Sequence, residues 1–483
     1  MHDLKALQEG GYRDAGLTKL KLTCPLAAFP DEILELGDSL EHLDLSGTGL
    51  SSLPATIGSA LPRLKIAFFS NCKFTVFPKE LATCPNLEMV AFRGNGMEEI
   101  PEDALPPQLR WLILTDNRIT SLPASIGRCA RLQKCMLAGN WLRVLPAAMV
   151  HCTKLGLLRL SANRLEALPT WLFGLPELAF LSFAGNPCAA PTVNGAAKTP
   201  FGLSDIDWAD LEVQHTLGQG ASGVISQGVW KQQHFDEEVA IKLFHGALTS
   251  DGTPHDELAA CIAAGAHESL ISVLGRIHGH PDELRSPGAG ADADADADAD
   301  AAGFQGGIVM QLIPPYYTVL GQPPSLSTCT RDCFPDDASI DAVGALSMLT
   351  GIAGAAAHLH ARGIAHGDLY AHNILASRED AHALLGDFGA ATIYGRGPAA
   401  AECGIEKLEV LAFAHLLEDM VRLIKDDDDG EAAPVAELRR GLQELHARCS
   451  AAPVEARPTF DEVVEELETM MGWRGMMRIP NPN

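Results

Sequence analysis

Basic residues are scarce in this sequence. Its 483 residues include 36 Lys and Arg against 62 Asp and Glu, which gives a formal net charge of −26 and a pI near 5.0. A surface this acidic is repelled by nucleic-acid phosphates and by anionic membrane faces. We therefore expect no nucleic-acid partner.

The sequence also lacks a recognisable secretory signal and an uninterrupted apolar run. The amino terminus, Met1-His2-Asp3-Leu4-Lys5, does not show a basic segment followed by an apolar one. The most apolar long stretch, Ala342 to Ala361, is rich in Gly and Ala and is interrupted by His358 and His360. This composition predicts a buried helix and no membrane span.

The 12 cysteines lack the spacing of a zinc site, since the closest pairs are Cys129/Cys135 and Cys329/Cys333. We predict the reduced thiols of a cytoplasmic protein. Five of them lie where the repeat described next needs small core residues: Cys72, Cys84, Cys129, Cys135 and Cys152.

The first 190 residues contain an internal repeat. Leucine recurs with spacings of 22 to 24 residues, and each of these leucines opens the pattern L-x-x-L-x-L. They are Leu17, Leu40, Leu64, Leu87, Leu109, Leu132, Leu155 and Leu178. An Asn follows at one fixed offset in five repeats, at Asn95, Asn117, Asn140, Asn163 and Asn186. These eight in-phase copies resemble the leucine-rich-repeat family.

In such a repeat the leucines point inward from a short strand, and the Asn can satisfy backbone groups where the chain turns. One repeat cannot bury its apolar side alone, so neighbours must stack into a curved solenoid, and such arrays usually bind a partner on the concave strand face. Apolar residues at outward strand positions predict a protein contact there; alternatively, the second domain or an amino-terminal helical cap covers them. They are Phe68, Met89, Trp111, Ile113, Met136, Leu157 and Phe180.

A different pattern, strand, glycine turn and strand, starts near Trp208. Gly218 to Val224 reads G-x-G-x-x-G-V, and its glycines let backbone amides approach phosphate oxygens. Lys242 then ends the apolar run Val-Ala-Ile-Lys. A Lys in an apolar strand needs a charged partner, for which Glu257 is the candidate; an ordinary solvent-facing helix Glu is the alternative.

The most specific motif is His366-Gly367-Asp368-Leu369-Tyr370-Ala371-His372-Asn373, the H-G-D loop, which matches the pattern H-R-D-L-x-x-x-N. Asp387-Phe388-Gly389 follows 14 residues beyond it. Two further segments that belong to the same pattern follow, Glu409 to Ala414 and Ala456 to Phe460. In this order, from Trp208 to Met470, these motifs resemble the protein kinases, closest to the tyrosine-kinase-like branch.

The resemblance implies ATP and Mg²⁺ as cofactors. Asp368 would orient the substrate hydroxyl and accept its proton, Asn373 and Asp387 would hold Mg²⁺, and Lys242, held by Glu257, would contact the α- and β-phosphates and share the catalytic role. The remaining nucleotide contacts would come from the glycine turn, the strand of Lys242 and the hinge: Gly218, Gly220, Gly223, Val224, Ala240, Met310, Gln311 and Ile313.

The sequence departs from the kinase pattern within the H-G-D loop. Gly367 replaces the Arg of H-R-D, so the usual basic pocket for a phosphorylated activation loop is missing and control by such phosphorylation is not expected. Tyr370 stands where Ser/Thr kinases carry a Lys. The preference for Ser/Thr over Tyr acceptors is therefore weakly determined.

A third departure is a short activation segment. No A-P-E motif occurs between Asp387 and Glu409, so the peptide-docking platform is expected to be truncated. Arg457, which the family pairs with that motif, would turn to Glu402 or Glu406. Peptide substrates are then expected to be held by the repeats, which raise their concentration near the site.

The expected fold is an α/β leucine-rich-repeat solenoid (1–190) followed by an α+β bilobal protein-kinase fold (208–475). Between them lies a linker (191–207); a disordered insertion (282–303) and a tail (476–483) complete the chain. Plant receptor kinases place a membrane span between such domains, and none fits this linker, so both domains are expected in the cytoplasm. We expect a protein kinase, Ser/Thr-directed, whose repeats recruit a partner or substrate; the alternative is an ATP-binding pseudokinase scaffold.

Overall fold

A computed structural model describes residues 2–13, 15–189, 204–220, 222–232, 234–246, 248–282, 304–395, 404–425 and 433–477. The chain forms two compact units, Met1–Cys188 (the repeat unit) and Ala189–Asn483 (the second unit). Outside the described residues lie nearly all of the predicted insertion, most of the predicted linker and tail, and the acidic run 426–429.

The repeat unit contains one eight-stranded parallel sheet whose strands follow chain order. The strands are β1 Lys19–Lys21, β2 His42–Asp44, β3 Ile66–Phe68, β4 Met89–Ala91, β5 Trp111–Ile113, β6 Lys134–Met136, β7 Leu157–Arg159 and β8 Phe180–Ser182. Helix α1 Leu4–Gln8 precedes β1. Between the strands lie α2 Ile57–Ala60 and the 3-10 helices Asp31–Leu36, Lys79–Thr83, Ala124–Arg128, Ala147–His151 and Thr170–Gly174. The predicted repeat solenoid is thereby confirmed.

The repeat asparagines form a buried ladder between neighbouring turns. Asn140 is typical: its Oδ1 accepts a hydrogen bond from the Ile119 amide at 3.1 Å, and its Nδ2 donates to the carbonyls of Leu114 at 2.9 Å and Leu137 at 3.0 Å. One side chain thus satisfies backbone groups of two successive repeats, as the sequence predicts.

Three of the seven outward apolar residues are buried. Phe180, Leu157 and Met89 retain only 1%, 4% and 7% of their exposure, and the other four are half-buried. Parallel strands lie about 4.8 Å apart, so outward side chains pack against those of the next repeat; the Lys134 ammonium, for example, lies 4.6 Å from the Trp111 ring centroid. The sequence therefore overestimated how many of the seven residues are accessible to a partner.

The second unit begins with a six-stranded sheet of order β10-β11-β12-β14-β13-β9. Its strands are β9 Ser204–Asp207, β10 Leu211–Gly220, β11 Gly223–Lys231, β12 Asp236–His245, β13 Val273–His278 and β14 Phe304–Gln311. Helix α3, Pro254–Ala264, contacts β12, β13 and β14. The Thr253 hydroxyl caps this helix by accepting from the Asp256 amide at 3.1 Å, and Pro254 suits its first turn.

The rest of the second unit is mainly helical. Its helices are α4 Ala342–His360, α5 Ile405–Leu423, α6 Ala433–Cys449 and α7 Phe460–Met477. Its small sheets contain β15 Thr318–Val319, β17 Ile374–Ser377 and β18 His382–Leu385, and separately β16 Ile364–Ala365 and β19 Thr392–Ile393. By length and composition alone α4 could cross a membrane, but it packs against α7, β18 and α5, which agrees with the predicted buried helix.

Candidate active site

Strand β12 and helix α3 bring Lys242 and Glu257 into an ion pair. Glu257 is 1% exposed, so it is not the solvent-facing helix residue that the sequence left as an alternative. Burial by itself would lower the pKa of Lys242, but the charge of Glu257 outweighs that effect and the pKa lies above its ordinary value. The ammonium is therefore fixed in its charged form.

The H-G-D loop brings Asp368 and Asn373 together. The Asn373 Nδ2 donates to the Asp368 carbonyl at 2.9 Å and to its Oδ2 at 2.8 Å. With the amide oriented by these two bonds, the Asn373 Oδ1 is left for a cation. His366 is fully buried and its Nε2 donates to the Gly386 carbonyl at 2.9 Å, which joins the loop to the segment that carries Asp387.

Asp387 has an uncommon backbone conformation, with φ at +57°. Its Oδ1 accepts a hydrogen bond from the Gly389 amide at 3.1 Å, while the neighbouring Phe388 is buried with its ring centroid 5.2 Å from that of His366. Non-glycine residues adopt the left-handed region uncommonly, and such conformations concentrate at functional sites. The carboxylate is held outward by this turn.

A cleft of about 400 Å³ collects most of the predicted residues. It is lined by Gly218, Gly220, Gly223, Lys242, Glu257, Met310 and Asp387, together with eleven further residues. At the first two glycines a Cβ would meet no atom within 4 Å, which leaves the backbone accessible, whereas at Gly223 a Cβ would lie 2.1 Å from the Leu243 carbonyl oxygen. Glycine is thus required at 223 by close packing of β11 on β12.

Several predicted residues lie beside this cleft and do not line it. Ala240 is buried opposite Met310 in the sheet; Val224, Gln311 and Ile313 are likewise not among the described residues of the lining. Asp368 and Asn373 lie on the adjoining H-G-D loop, which the Gly386 amide joins to the lining by a 3.0 Å hydrogen bond to the Asn373 carbonyl.

The lining residues that were not predicted include Thr249 and Asp251. They belong to a tight turn in which the Thr249 Oγ1 accepts from the amides of Asp251 and Gly252, both at 3.2 Å. The Thr-Ser-Asp-Gly sequence signals a turn, but the sequence does not signal its position at the cleft.

A clasp formed by Arg331 and Asp332 was also not predicted. The buried Asp332 carboxylate accepts from the Ala371 amide at 2.5 Å and bonds the His372 Nδ1 at 2.7 Å. Arg331 reaches the opposite way, to Glu418 at 2.7 Å and to Asp419 at 3.0 Å on α5. The clasp ties the H-G-D loop to that helix.

Glu409, on the same helix, binds the backbone at the start of the H-G-D loop. Its carboxylate accepts from the His366 amide at 3.2 Å and the Gly367 amide at 2.6 Å. Burial would raise the pKa of Glu409, but the hydrogen bond from His360 and the nearby donors hold it below the ordinary value. An ionised carboxylate therefore positions the residue before Asp368.

The predicted partner of Arg457 is corrected in part. The Arg457 guanidinium donates to the carbonyls of Ala451 and Lys407, both at 3.1 Å. Glu406 does not pair with it, because its Oε1 accepts from the Phe460 amide at 2.7 Å and so caps α7. The other candidate, Glu402, lies outside the described residues.

The residues present fit a nucleotide with its cation. The described part of the chain holds no group of three or more His, Cys, Asp or Glu side chains able to bind a metal. Mg²⁺ binds proteins through one or two carboxylates plus substrate phosphates, and Asp387 with the amide oxygen of Asn373 matches that requirement.

Comparison with known families places matches in both units. Residues 107–165 and 39–60 match leucine-rich-repeat models. Residues 332–396, a span that includes Asp332, Asp368, Asn373 and Asp387, match the lipopolysaccharide kinase (Kdo/WaaP) family. The second unit therefore carries kinase-like features.

Similar curated proteins are much longer than their matched segments. The chain is 36% identical over 94 residues to the PH domain leucine-rich repeat-containing protein phosphatase 1 of Homo sapiens, which is 19% of this chain and 5% of that protein. It is 34% identical over 98 residues to Receptor-like protein 39 of Arabidopsis thaliana, 19% of this chain and 11% of that protein. These matches concern short segments.

Proposed function

We propose that the second unit transfers the γ-phosphate of Mg·ATP to a Ser or Thr hydroxyl of a protein. The observation that carries the proposal is the meeting of an ionised Lys242–Glu257 pair, the outward Asp387 and the Asp368–Asn373 pair around one glycine-lined cleft. Phosphoryl transfer needs positioning and neutralisation of charge more than covalent chemistry. The sheet with α3 on one side of the site and the helices on the other supports a bilobal kinase fold.

Each residue has a role that follows from its surroundings. Lys242 offers a fixed positive charge to phosphate oxygens, and the open backbone at Gly218 and Gly220 offers amides to them. Bound Mg²⁺ would neutralise the phosphate charge. Asp368, oriented by the Asn373 amide, accepts the proton of the acceptor hydroxyl.

The repeats are proposed to recruit the protein partner or substrate, in the cytoplasm. Leucine-rich repeats present an extended face for protein contacts, and the half-buried residues among the seven predicted on this face are Phe68, Trp111, Ile113 and Met136. A partner held there would raise the substrate concentration near the site.

Binding of Mg·ATP is the first test, measured by titration calorimetry on the full chain. We expect the Lys242→Met and Asp387→Asn variants to bind at least tenfold more weakly, and Asp337→Asn, a change at an exposed position, to bind like the wild type. Equal binding by all four proteins would contradict the proposed nucleotide site.

A saccharide hydroxyl is the second candidate acceptor, favoured by the match of residues 332–396 to a lipopolysaccharide kinase family and by the missing A-P-E motif. Incubating the full chain with γ-labelled Mg·ATP, protein acceptors and a purified lipopolysaccharide would distinguish the two candidate acceptors. Label on protein Ser or Thr supports the proposal, whereas label confined to the saccharide replaces it with this candidate.

A further inference from the structure

A hydrogen-bond chain runs from the segment after Asp387 to the H-G-D loop. The Tyr394 hydroxyl lies 2.9 Å from the His360 Nδ1, and the His360 Nε2 lies 2.7 Å from a carboxylate oxygen of Glu409. Glu409 in turn holds the amides of His366 and Gly367. The side chain of His360, on helix α4, thus joins the segment of Tyr394 to Glu409 on helix α5.

The carboxylate fixes the direction of one bond in this chain. A carboxylate only accepts, so the His360 Nε2 donates to Glu409, while either atom can donate in the bond between the Tyr394 hydroxyl and the His360 Nδ1. The side chains of His360 and Glu409 are each 4% exposed, so water does not readily replace these bonds. The His360 ring also stacks on Phe460, with centroids 5.5 Å apart and planes at 16°, which restricts its rotation.

The backbone brings Tyr394 to this position by a close approach. The amides of Tyr394 and Gly395 donate to the Gly363 carbonyl at 2.8 and 3.3 Å, next to the pairing of β16 with β19. A Cβ at position 363 would lie 2.2 Å from the Gly395 carbonyl oxygen, so only glycine permits the contact. The chain and this contact together fasten the segment to the base of the loop.

We propose that the Tyr394–His360–Glu409 chain is a positioning device that anchors the segment after Asp387 to the H-G-D loop without phosphorylation. It supplies a hydrogen-bonded anchor, without a phosphate group, at the loop whose second residue, Gly367, has no side chain. Tyr394 is a positioning residue: it acts on Asp368 through His360, Glu409 and the Gly367 amide. The inference rests on the proposed function for its catalytic consequence, but the physical link can be measured separately.

The test compares Tyr394→Phe with Tyr317→Phe in the full chain. Tyr317 is the matched control, because it is also half-buried and its hydroxyl also bonds a histidine, His382, at 2.9 Å. Two quantities are measured: amide hydrogen exchange in a peptide covering residues 366–369, and kcat and KM for ATP in phosphate transfer.

We expect Tyr394→Phe to raise exchange at the His366 and Gly367 amides about fivefold, the effect of losing one hydrogen bond. It should lower kcat by a similar factor at an unchanged KM for ATP, because the nucleotide contacts are intact. Tyr317→Phe should change neither quantity. Wild-type exchange and kcat in Tyr394→Phe, or the same changes in both variants, would overturn the proposal.

The exchange measurement keeps this inference separate from the proposed function. If the wild type transfers no phosphate but Tyr394→Phe still raises exchange at residues 366–367 and Tyr317→Phe does not, the proposed function fails and the anchor stands. If the wild type is active and Tyr394→Phe leaves exchange unchanged, the anchor fails and the proposed function stands.

Discussion

At the scale of single residues, the Lys242–Glu257 pair carries two charges where neither is stable alone. The side chains are 12% and 1% exposed, so removing one partner leaves an uncompensated charge away from water. Substitution of either residue is therefore expected to be unfavourable.

Lys242→Met and Glu257→Gln should therefore each lower the free energy of unfolding of the second unit, by about 3 kcal/mol. The double variant should lose less than the sum of the two, because it leaves no lone charge. Urea unfolding of the four proteins at pH 7 measures this coupling. Additive losses would show that the two groups do not act as a pair.

Motifs were the signal for the individual site residues. Of the four that they indicated, Lys242 and Asp387 line the cleft, and Asp368 and Asn373 lie on the adjoining H-G-D loop. Asp332 was not predicted, because its partner amide at Ala371 is 39 positions away and a lone Asp in a polar segment carries no signal of so distant a contact.

At the scale of elements, the asparagine ladder links each turn of the repeat unit to the next. Asn140→Ala would leave the Ile119 amide and the carbonyls of Leu114 and Leu137 without these bonds. A buried group left unpaired costs about 1–3 kcal/mol. The ladder should therefore contribute strongly to the stability of the sheet.

We expect Asn140→Ala to destabilise the repeat unit by at least about 2 kcal/mol in urea unfolding. Asn86→Ala is the control: Asn86 is exposed and makes a 2.8 Å bond to the Pro62 carbonyl, so its loss should cost less than about 0.5 kcal/mol. Similar losses for the two variants would rule out the ladder as a stabilising element.

Glu409 makes the contact between helix α5 and the H-G-D loop dependent on pH. Its pKa is below the ordinary value, so it contributes stability that is present above the unfolded pKa of about 4.3 and is lost as pH falls through the folded pKa. The free energy of unfolding falls on acidification because the unfolded state binds the proton of this carboxyl more tightly than the folded state does.

Between pH 5 and pH 3 the wild type should therefore lose more free energy of unfolding than Glu409→Gln, which cannot titrate. Glu468→Gln, at an exposed position of α7, should keep the wild-type pH dependence. Urea unfolding at pH 7, 5, 4 and 3 gives the comparison. Parallel curves for wild type and Glu409→Gln would show that this carboxylate is not stabilised in its ionised form.

Elements were predictable from periodicity, whereas contacts between elements were less so. The 22-to-24-residue leucine spacing fixed the strands of the repeat unit. It could not show that Phe180 and Leu157 would be buried, because spacing gives the direction of a side chain and leaves its neighbours undetermined. The same limit explains Glu406, whose capping of α7 competes with the predicted pairing to Arg457.

At the scale of the whole molecule, the repeat unit is proposed to select the substrate and the second unit to modify it. Trp111→Asp tests the first half, since Trp111 is half-buried on the strand face. Phe180→Asp would be a poor test, because Phe180 is 1% exposed and a buried Asp would unfold the unit.

Trp111→Asp should lose the proteins that co-purify with the wild-type chain while its circular dichroism is unchanged. Trp141→Asp is the matched control. Trp141 is 39% exposed and lies outside the strands, so the Trp141→Asp variant should retain the co-purifying proteins. If the Trp111→Asp variant retains the same proteins, the strand face is not where partners bind.

Phosphate transfer is measured with Mg·ATP labelled at the γ-phosphate and the purified full chain. The assay should include the Asp368→Asn and Asp337→Asn variants and acceptors of both proposed classes. We predict label that disappears in Asp368→Asn and persists in Asp337→Asn. Absence of label from every acceptor, or label that survives Asp368→Asn, would contradict this prediction.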